Sequence, residues 1–166
     1  MGVVLAAAIL LAGCGFHLRG SLGELEGLPP VLVRGDDALA RELQRALRNA
    51  GTPVVGDAAA AQLVVFLGDM RRDRRASAVG GAGRVQEYEL HASARFRVED
   101  SAGTSLAPEQ VVSAVRSYSF DGTDVNAKSN EEDSLYEDMR YDLARQILLR
   151  LQAIRPAAPA GLGAAP

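Results

Sequence analysis

Tryptophan is absent from the chain, and aromatic residues of all kinds make up only 5% of it. That composition argues against the aromatic stacking platforms on which single-stranded nucleic acids are bound. A net charge of −3 and a pI near 5.4 argue equally against a general nucleic-acid binder. Histidine occurs twice, at His17 and His91, far apart and without Cys or Glu at ligand spacing, so a zinc site has little support. No Gly-x-Ser-x-Gly and no P-loop pattern is present, which leaves hydrolase or nucleotide chemistry without a local motif. Cysteine occurs once, at Cys14, so no disulfide can form within the chain. Long apolar runs are missing too, except one.

That exception is Val3 to Ala12, Val-Val-Leu-Ala-Ala-Ala-Ile-Leu-Leu-Ala. Its length suits a signal-peptide core and is roughly half of the ~20 residues a spanning helix needs. It runs into Leu11-Ala12-Gly13-Cys14, small residues just before a thiol, the pattern a lipoprotein signal peptidase cleaves. Residues 1–13 are therefore expected to be removed, leaving Cys14 as a lipid-modified N-terminus. Lipidation also uses up a sulfur that would be a liability in an oxidising compartment. Several acyl chains anchor stably where one would hold only marginally. Gly15, in place of Asp, points to sorting to the outer membrane, with the chain on its periplasmic side. Before the apolar run, Met1-Gly2 carries no basic residue, as expected if the true start lies further upstream.

About 150 residues follow the cleavage site, enough for one domain with a real core. Residues 14–30, with Pro29 and Pro30, read as an extended tether, and 156–166, rich in Pro, Ala and Gly, as a disordered tail. Between them, residues 31–155 form the domain. Val31 to Arg34 predicts a short strand. Asp36 or Asp37 then caps a helix whose Leu39, Leu43, Ala46, Leu47 and Ala50 share one face, with Gly51 just past its end. Leu63 to Leu67 reads as a strand buried on both faces that continues into the charged Asp69 to Arg75. Gly80 to Gly83 is a turn. From Tyr88 to Val98 apolar residues alternate strictly with polar ones, a strand with one wet face. Ser101-Ala102-Gly103 turns it into another strand over 110–120. Asp121 to Asp133 is a polar loop, and Ser134 with Glu137 fits a capping box. The last helix carries Leu135, Met139, Leu143, Ile147, Leu151 and Ile154 as a stripe, with Arg140, Arg145 and Arg150 largely outside. The order β-α-β-β-β-α predicts an α+β two-layer sandwich, a sheet of about four strands with two helices on one face.

Cys14-Gly15-Phe16-His17-Leu18-Arg19 resembles the mature N-terminus of the LPS-assembly lipoprotein family LptE (RlpB). Glu87-Tyr88-Glu89-Leu90, Arg116-Ser117-Tyr118-Ser119-Phe120 and Ala127-Lys128-Ser129-Asn130-Glu131-Glu132 are similar to further segments of that family, in the same order. The resemblance implies a fold of a small sheet with two helices. It implies a non-enzymatic lipoprotein without cofactor beyond the covalent lipid at Cys14. Its partners would be the LptD outer-membrane barrel, which it plugs and helps to assemble, and lipopolysaccharide. The competing class is another outer-membrane lipoprotein, a lipid- or protein-binding auxiliary subunit of an envelope transport system.

Lipopolysaccharide carries phosphates, so its binding site needs Arg or Lys at a crowded surface. By the resemblance, Lys128 matches a lipopolysaccharide-contact position, and Arg84 is the guanidinium nearest to a second one. Arg72, Arg74 and Arg75 are further candidates. On a strand Arg71 and Arg75 share a face with Asp73, while Arg72 and Arg74 point the other way, so they make one phosphate patch only if the strand bends or twists. The alternative is a charged strand end that discourages edge pairing. His17 reads as a packing or barrel-contact residue, His91 as solvated or facing a barrel wall. Glu131-Glu132-Asp133 reads as negative charge placed before a helix N-terminus.

Overall fold

The strict alternation after Tyr88 builds the longest strand of the domain, and the rest of the sheet assembles around it. The computed structural model describes residues 28–35, 38–81, 83–120 and 125–154. Its strands are β1 (Val31–Arg34), β2 (Leu63–Leu67), β3 (Arg71–Val79), β4 (Val85–Asp100) and β5 (Ser105–Ser119). Its helices are α1 (Ala38–Asn49) and α2 (Val125–Ala153). One side of β4 pairs antiparallel with β2 and then with β3, and its other side pairs with β5 along nearly its whole length. Beyond β2, β1 extends the sheet in parallel. The class is α+β, as expected, but the sheet has five strands where about four were predicted. Asp36, Asp37, His17 and Cys14 lie outside the described residues.

The extra strand comes from one inserted residue. Leu67 pairs with Phe96 and Arg71 with Ser93, so three residues of one chain oppose two of the other. The insertion falls at Gly68-Asp69-Met70, where the Gly68 N–H still donates to the Arg95 carbonyl at 2.9 Å. Such a bulge reverses which side chains face in. Leu63 and Val65 point inward before it, whereas Arg72 and Arg74 pair with the inward Ala92 and Leu90 after it. Arg71, Asp73 and Arg75 fall on the outer face, so the predicted separation of the two arginine pairs holds.

Both helices cover the inward face. Leu39, Leu43 and Leu47 of α1 and Met139, Leu143, Ile147 and Leu151 of α2 join Leu90, Ala92, Ala94, Phe96 and Val98 of β4 in one buried cluster. The end of α1 is fixed by Gly51 at φ +76°, with Gly51 N–H donating to the Arg48 carbonyl and Thr52 N–H to that of Leu47. That left-handed stop costs a glycine little and any other residue more.

The start of α2 departs from expectation. The helix begins at Val125, so Ala127 to Asp133 is helical, and the predicted loop and capping box are corrected. Ser134 lies inside it, its hydroxyl donating back to the Asn130 carbonyl at 3.0 Å. A serine inside a helix can satisfy its hydroxyl on the carbonyl four positions earlier, and an acidic residue three further on does not make it a cap. Likewise Glu131-Glu132-Asp133 is helix interior and not a charge ahead of an N-terminus. Farther along, Gln146 donates to the Ser113 carbonyl at 2.9 Å and Arg150 to the Val111 carbonyl at 2.8 Å. Arg116, ion-paired with Asp142, donates to the Val115 carbonyl. Side chains of α2 one turn apart thus lie along the free edge of β5 and block strand addition there.

Candidate functional site: a cationic cleft floored by aromatic rings

Where β3, β4 and β5 meet the first turns of α2, the sheet brings Tyr88 opposite Tyr118. Their rings stack at 5.7 Å between centroids, and Phe120 meets Tyr88 edge-on at 5.4 Å. Three of the eight aromatic residues thus meet here, packed on one another. Arg74 lies on the same face of β3, its guanidinium 4.8 Å from the centroid of Tyr88. From α2, Lys128, Ser129 and Glu132 close the other side. Together these residues line a cleft of about 240 Å³.

One carboxylate organises the cleft. Glu132 Oε2 accepts from Arg74 at 2.8 Å and from the Tyr118 hydroxyl at 2.9 Å. This side chain is 19% exposed, while that of Arg74 is half in solvent. The hydrogen bond to Glu132 raises the Arg74 guanidinium above its ordinary value, keeping it cationic. Burial first, and the same carboxylate second, raise the Tyr118 phenol. Burial also raises Tyr136, whose hydroxyl donates to the Asp73 carbonyl at 3.2 Å. Lys128 is only 22% exposed along its side chain and reaches Glu131 at 2.9 Å. Its stem thus lies against the cleft while its ammonium is held at the rim.

Of the residues singled out from sequence, the fold brings Lys128 and Arg74 to this one cleft. Arg72 points to the same face of β3 but stacks on Tyr136, 4.8 Å from the ring centroid. Arg75 is on the outer face, paired with Asp73 at 2.6 Å. Arg84 is exposed in the hairpin turn between β3 and β4, at the same end of the sheet but about 13 Å along the strand from Tyr88. His91 is on the outer face and touches Glu89 at 2.5 Å, so it has a partner rather than only solvent. Sequence reasoning missed Glu132, and it treated Tyr88, Tyr118 and Phe120 only as parts of motifs. The signal available was the i, i+2 spacing of Tyr118 and Phe120, which places both rings on one face of a strand. Among the described residues no group of three His, Cys, Asp or Glu could hold a metal, and no helix is long and apolar enough to cross a membrane.

The tyrosines carry a pH signature. A phenol that titrates higher in the folded chain than in the unfolded one, where it titrates near 10, favours folding while protonated. That contribution is complete below about pH 10 and is lost as pH rises through the raised value. Urea midpoints measured from pH 8 to 11.5 should therefore fall at the alkaline end, and Tyr118→Phe should flatten the fall. An identical alkaline slope in the variant would contradict the assignment.

The sequence model of the LptE lipopolysaccharide-assembly family matches residues 27–151. An LPS-assembly lipoprotein LptE from Photorhabdus laumondii is 26% identical over 154 residues, covering 91% of this chain and 84% of its own length. One from Yersinia pestis is also 26% identical, over 157 residues, covering 91% of this chain and 74% of its own. Among solved structures, an uncharacterized lipoprotein B from Nitrosomonas europaea superimposes with a TM-score of 0.71 at 29% identity, covering 84% of this chain and 91% of its own. The rare lipoprotein B from Shewanella oneidensis shares the fold, with a TM-score of 0.65 at 24% identity over 75% of this chain and 94% of its own. The match runs through β1, the sheet and nearly all of α2, and on that span the chain belongs to the LptE family of lipopolysaccharide-assembly lipoproteins.

Proposed function

We propose that the chain is a non-enzymatic outer-membrane subunit, held by lipid at Cys14, that plugs the LptD barrel, assists its assembly and binds lipopolysaccharide during insertion into the outer leaflet. Family membership supports the lipopolysaccharide-assembly role. The observation that carries the binding step is the convergence of Lys128 and Arg74 on a ring-lined cleft. Two cations suit the phosphates of lipid A and the inner core. The outer face of the sheet, open along β3, β4 and β5, supports the plug. There Ser93, Ser113, Ser117 and Ser119 sit among Arg71, Arg75, Glu89 and Arg95, a surface matched to the wet interior of a barrel.

The test has two readouts. Purified from membranes in detergent, the chain should bring an LptD barrel with it; a lipoprotein recovered alone would overturn the plug. Lys128→Gln combined with Arg84→Gln should weaken binding of diphosphorylated lipid A about ten-fold and leave barrel association intact. The larger share should come from Lys128, which is in the cleft, and the smaller from Arg84, which is on the hairpin. Unchanged binding would remove the site from this cleft.

A further inference from the structure

A second cleft lies on the far side of Tyr136, and its charges are not balanced. Arg140, one turn beyond Tyr136 on α2, was expected largely outside the helix stripe, yet its Nε is buried and has no hydrogen-bond acceptor. A buried donor without a partner costs free energy, so a native structure that keeps one needs a reason. Arg72 faces Arg140 across the same cleft, about 180 Å³ in volume and lined also by Ala38, Leu39, Asp69 and Met70. The Arg72 guanidinium carbon lies over the Tyr136 ring, 4.8 Å from its centroid, a contact that uses none of its N–H donors in a hydrogen bond. Among the described residues neither arginine has an ion pair, and Asp69, the one carboxylate on the lining, pairs with neither. Every other described arginine on the inward side of β3, β5 or α2 has an acceptor: Arg74 has Glu132, Arg116 has Asp142, Arg150 has Gln110 and the Val111 carbonyl. Two guanidinium groups on one cleft outnumber the single carboxylate on its described lining, and with one N–H desolvated they suit a tetrahedral dianion. The cleft is smaller than the roughly 300 Å³ at which drug-sized sites begin, which suits a single anionic group and not a whole sugar.

We propose that Arg72 and Arg140 form a phosphate-binding subsite in the cleft between α1, β3 and α2, separate from the Lys128 cleft. It does not depend on the reading of that first cleft. The ligand is a phosphate monoester, which a glycolipid headgroup or free inorganic phosphate could supply. The subsite lies about 18 Å along α2 from Lys128, so one headgroup need not occupy both.

The test is a titration of the full-length, ¹⁵N-labelled chain in detergent, following the Nε–H resonance of Arg140, which burial protects from exchange. Inorganic phosphate should move that resonance saturably, Arg72→Gln should weaken the effect at least ten-fold, and Arg140→Gln should delete the signal. Asp69→Asn should tighten binding, because it removes the only carboxylate among the described lining residues. Arg145→Gln, at an exposed position on α2, should change nothing. Repeating the titration with diphosphorylated lipid A separates the sources. A matching shift assigns the headgroup, and a shift with inorganic phosphate alone assigns free phosphate; both support the subsite. Absence of any saturable shift with either probe overturns it, as does a shift that persists undiminished in Arg72→Gln. Lys128→Gln distinguishes the two clefts: it should leave the Arg140 shift in place even if lipid A binding at the first cleft fails.

Discussion

Replacing Phe96 with alanine is expected to destabilise the domain by about 3–5 kcal/mol, read as a lower urea midpoint with an unchanged slope. Phe96 is among the largest fully buried side chains, at 1% exposure. It pairs with Leu67 on one side and Gln110 on the other, so it sits where β2 ends and the bulge begins. Truncation there removes the ring from the cluster shared by both helices and leaves a cavity that two hydrogen-bonded neighbours keep from collapsing. Domains of this size hold roughly 5–15 kcal/mol in total, so the loss would be about a fifth or more of the whole. Val111→Ala, on the outer face of β5 at 53% exposure, should stay within about 0.5 kcal/mol. A Phe96→Ala cost below about 1 kcal/mol would mean that this ring is not the keystone of the sheet–helix layer.

The contrast between Phe96 and Val111 is also what made most of the fold legible in sequence. One face of β4 is covered by two helices and the other is open, so the residues from Tyr88 to Val98 had to alternate, and they do. In the same way α1 shows its buried stripe and its glycine stop. The run from Leu63 to Arg75 was harder. Read as one strand, it keeps a single parity, and only an inserted residue turns Arg72 and Arg74 inward. Gly68, between the apolar run and the charged segment, was the available mark of that insertion. The early part of α2 was hidden for a different reason. Its first turns are polar on nearly every side because they face Arg74, the cleft and solvent rather than the core, so no apolar period announces them. The match of Ser134 and Glu137 to a capping pattern then placed the start too late.

The site was legible in parts and not as a whole. Lys128 could be named through the family resemblance of its segment, and Arg74 as one of a run of arginines. Their meeting depends on register. Tyr88 lies opposite Tyr118 only once β4 and β5 pair, and Arg74 reaches Glu132 across a separation of 58 residues. Arg140 was misjudged for the same reason: its spacing puts it beside the apolar stripe, and only the packing of α1 against α2 and the bulge near Met70 buries its Nε.

Glu132→Gln is expected to tighten the binding of diphosphorylated lipid A about three- to ten-fold while costing about 1–2 kcal/mol of stability. In the unliganded chain Glu132 is the internal counter-ion of the cleft, one oxygen taking hydrogen bonds from both Arg74 and Tyr118. A phosphate that approaches Arg74 must compete with that oxygen and must accept its negative charge nearby. The amide keeps a carbonyl acceptor and nearly the same shape, so packing is retained while the charge is lost. Half-exposure of Arg74 limits how much stability the ion pair supplies, which is why the loss is put near the lower end for a charged hydrogen bond. Stability and binding should therefore move in opposite directions, a pattern that simple damage to the fold cannot produce. Adding Arg74→Gln to Glu132→Gln should abolish the gain, because the freed guanidinium is its source. Weaker or unchanged binding in a folded Glu132→Gln chain would show that Arg74 does not contact the ligand, and would leave Lys128 as the cleft's sole cationic contact.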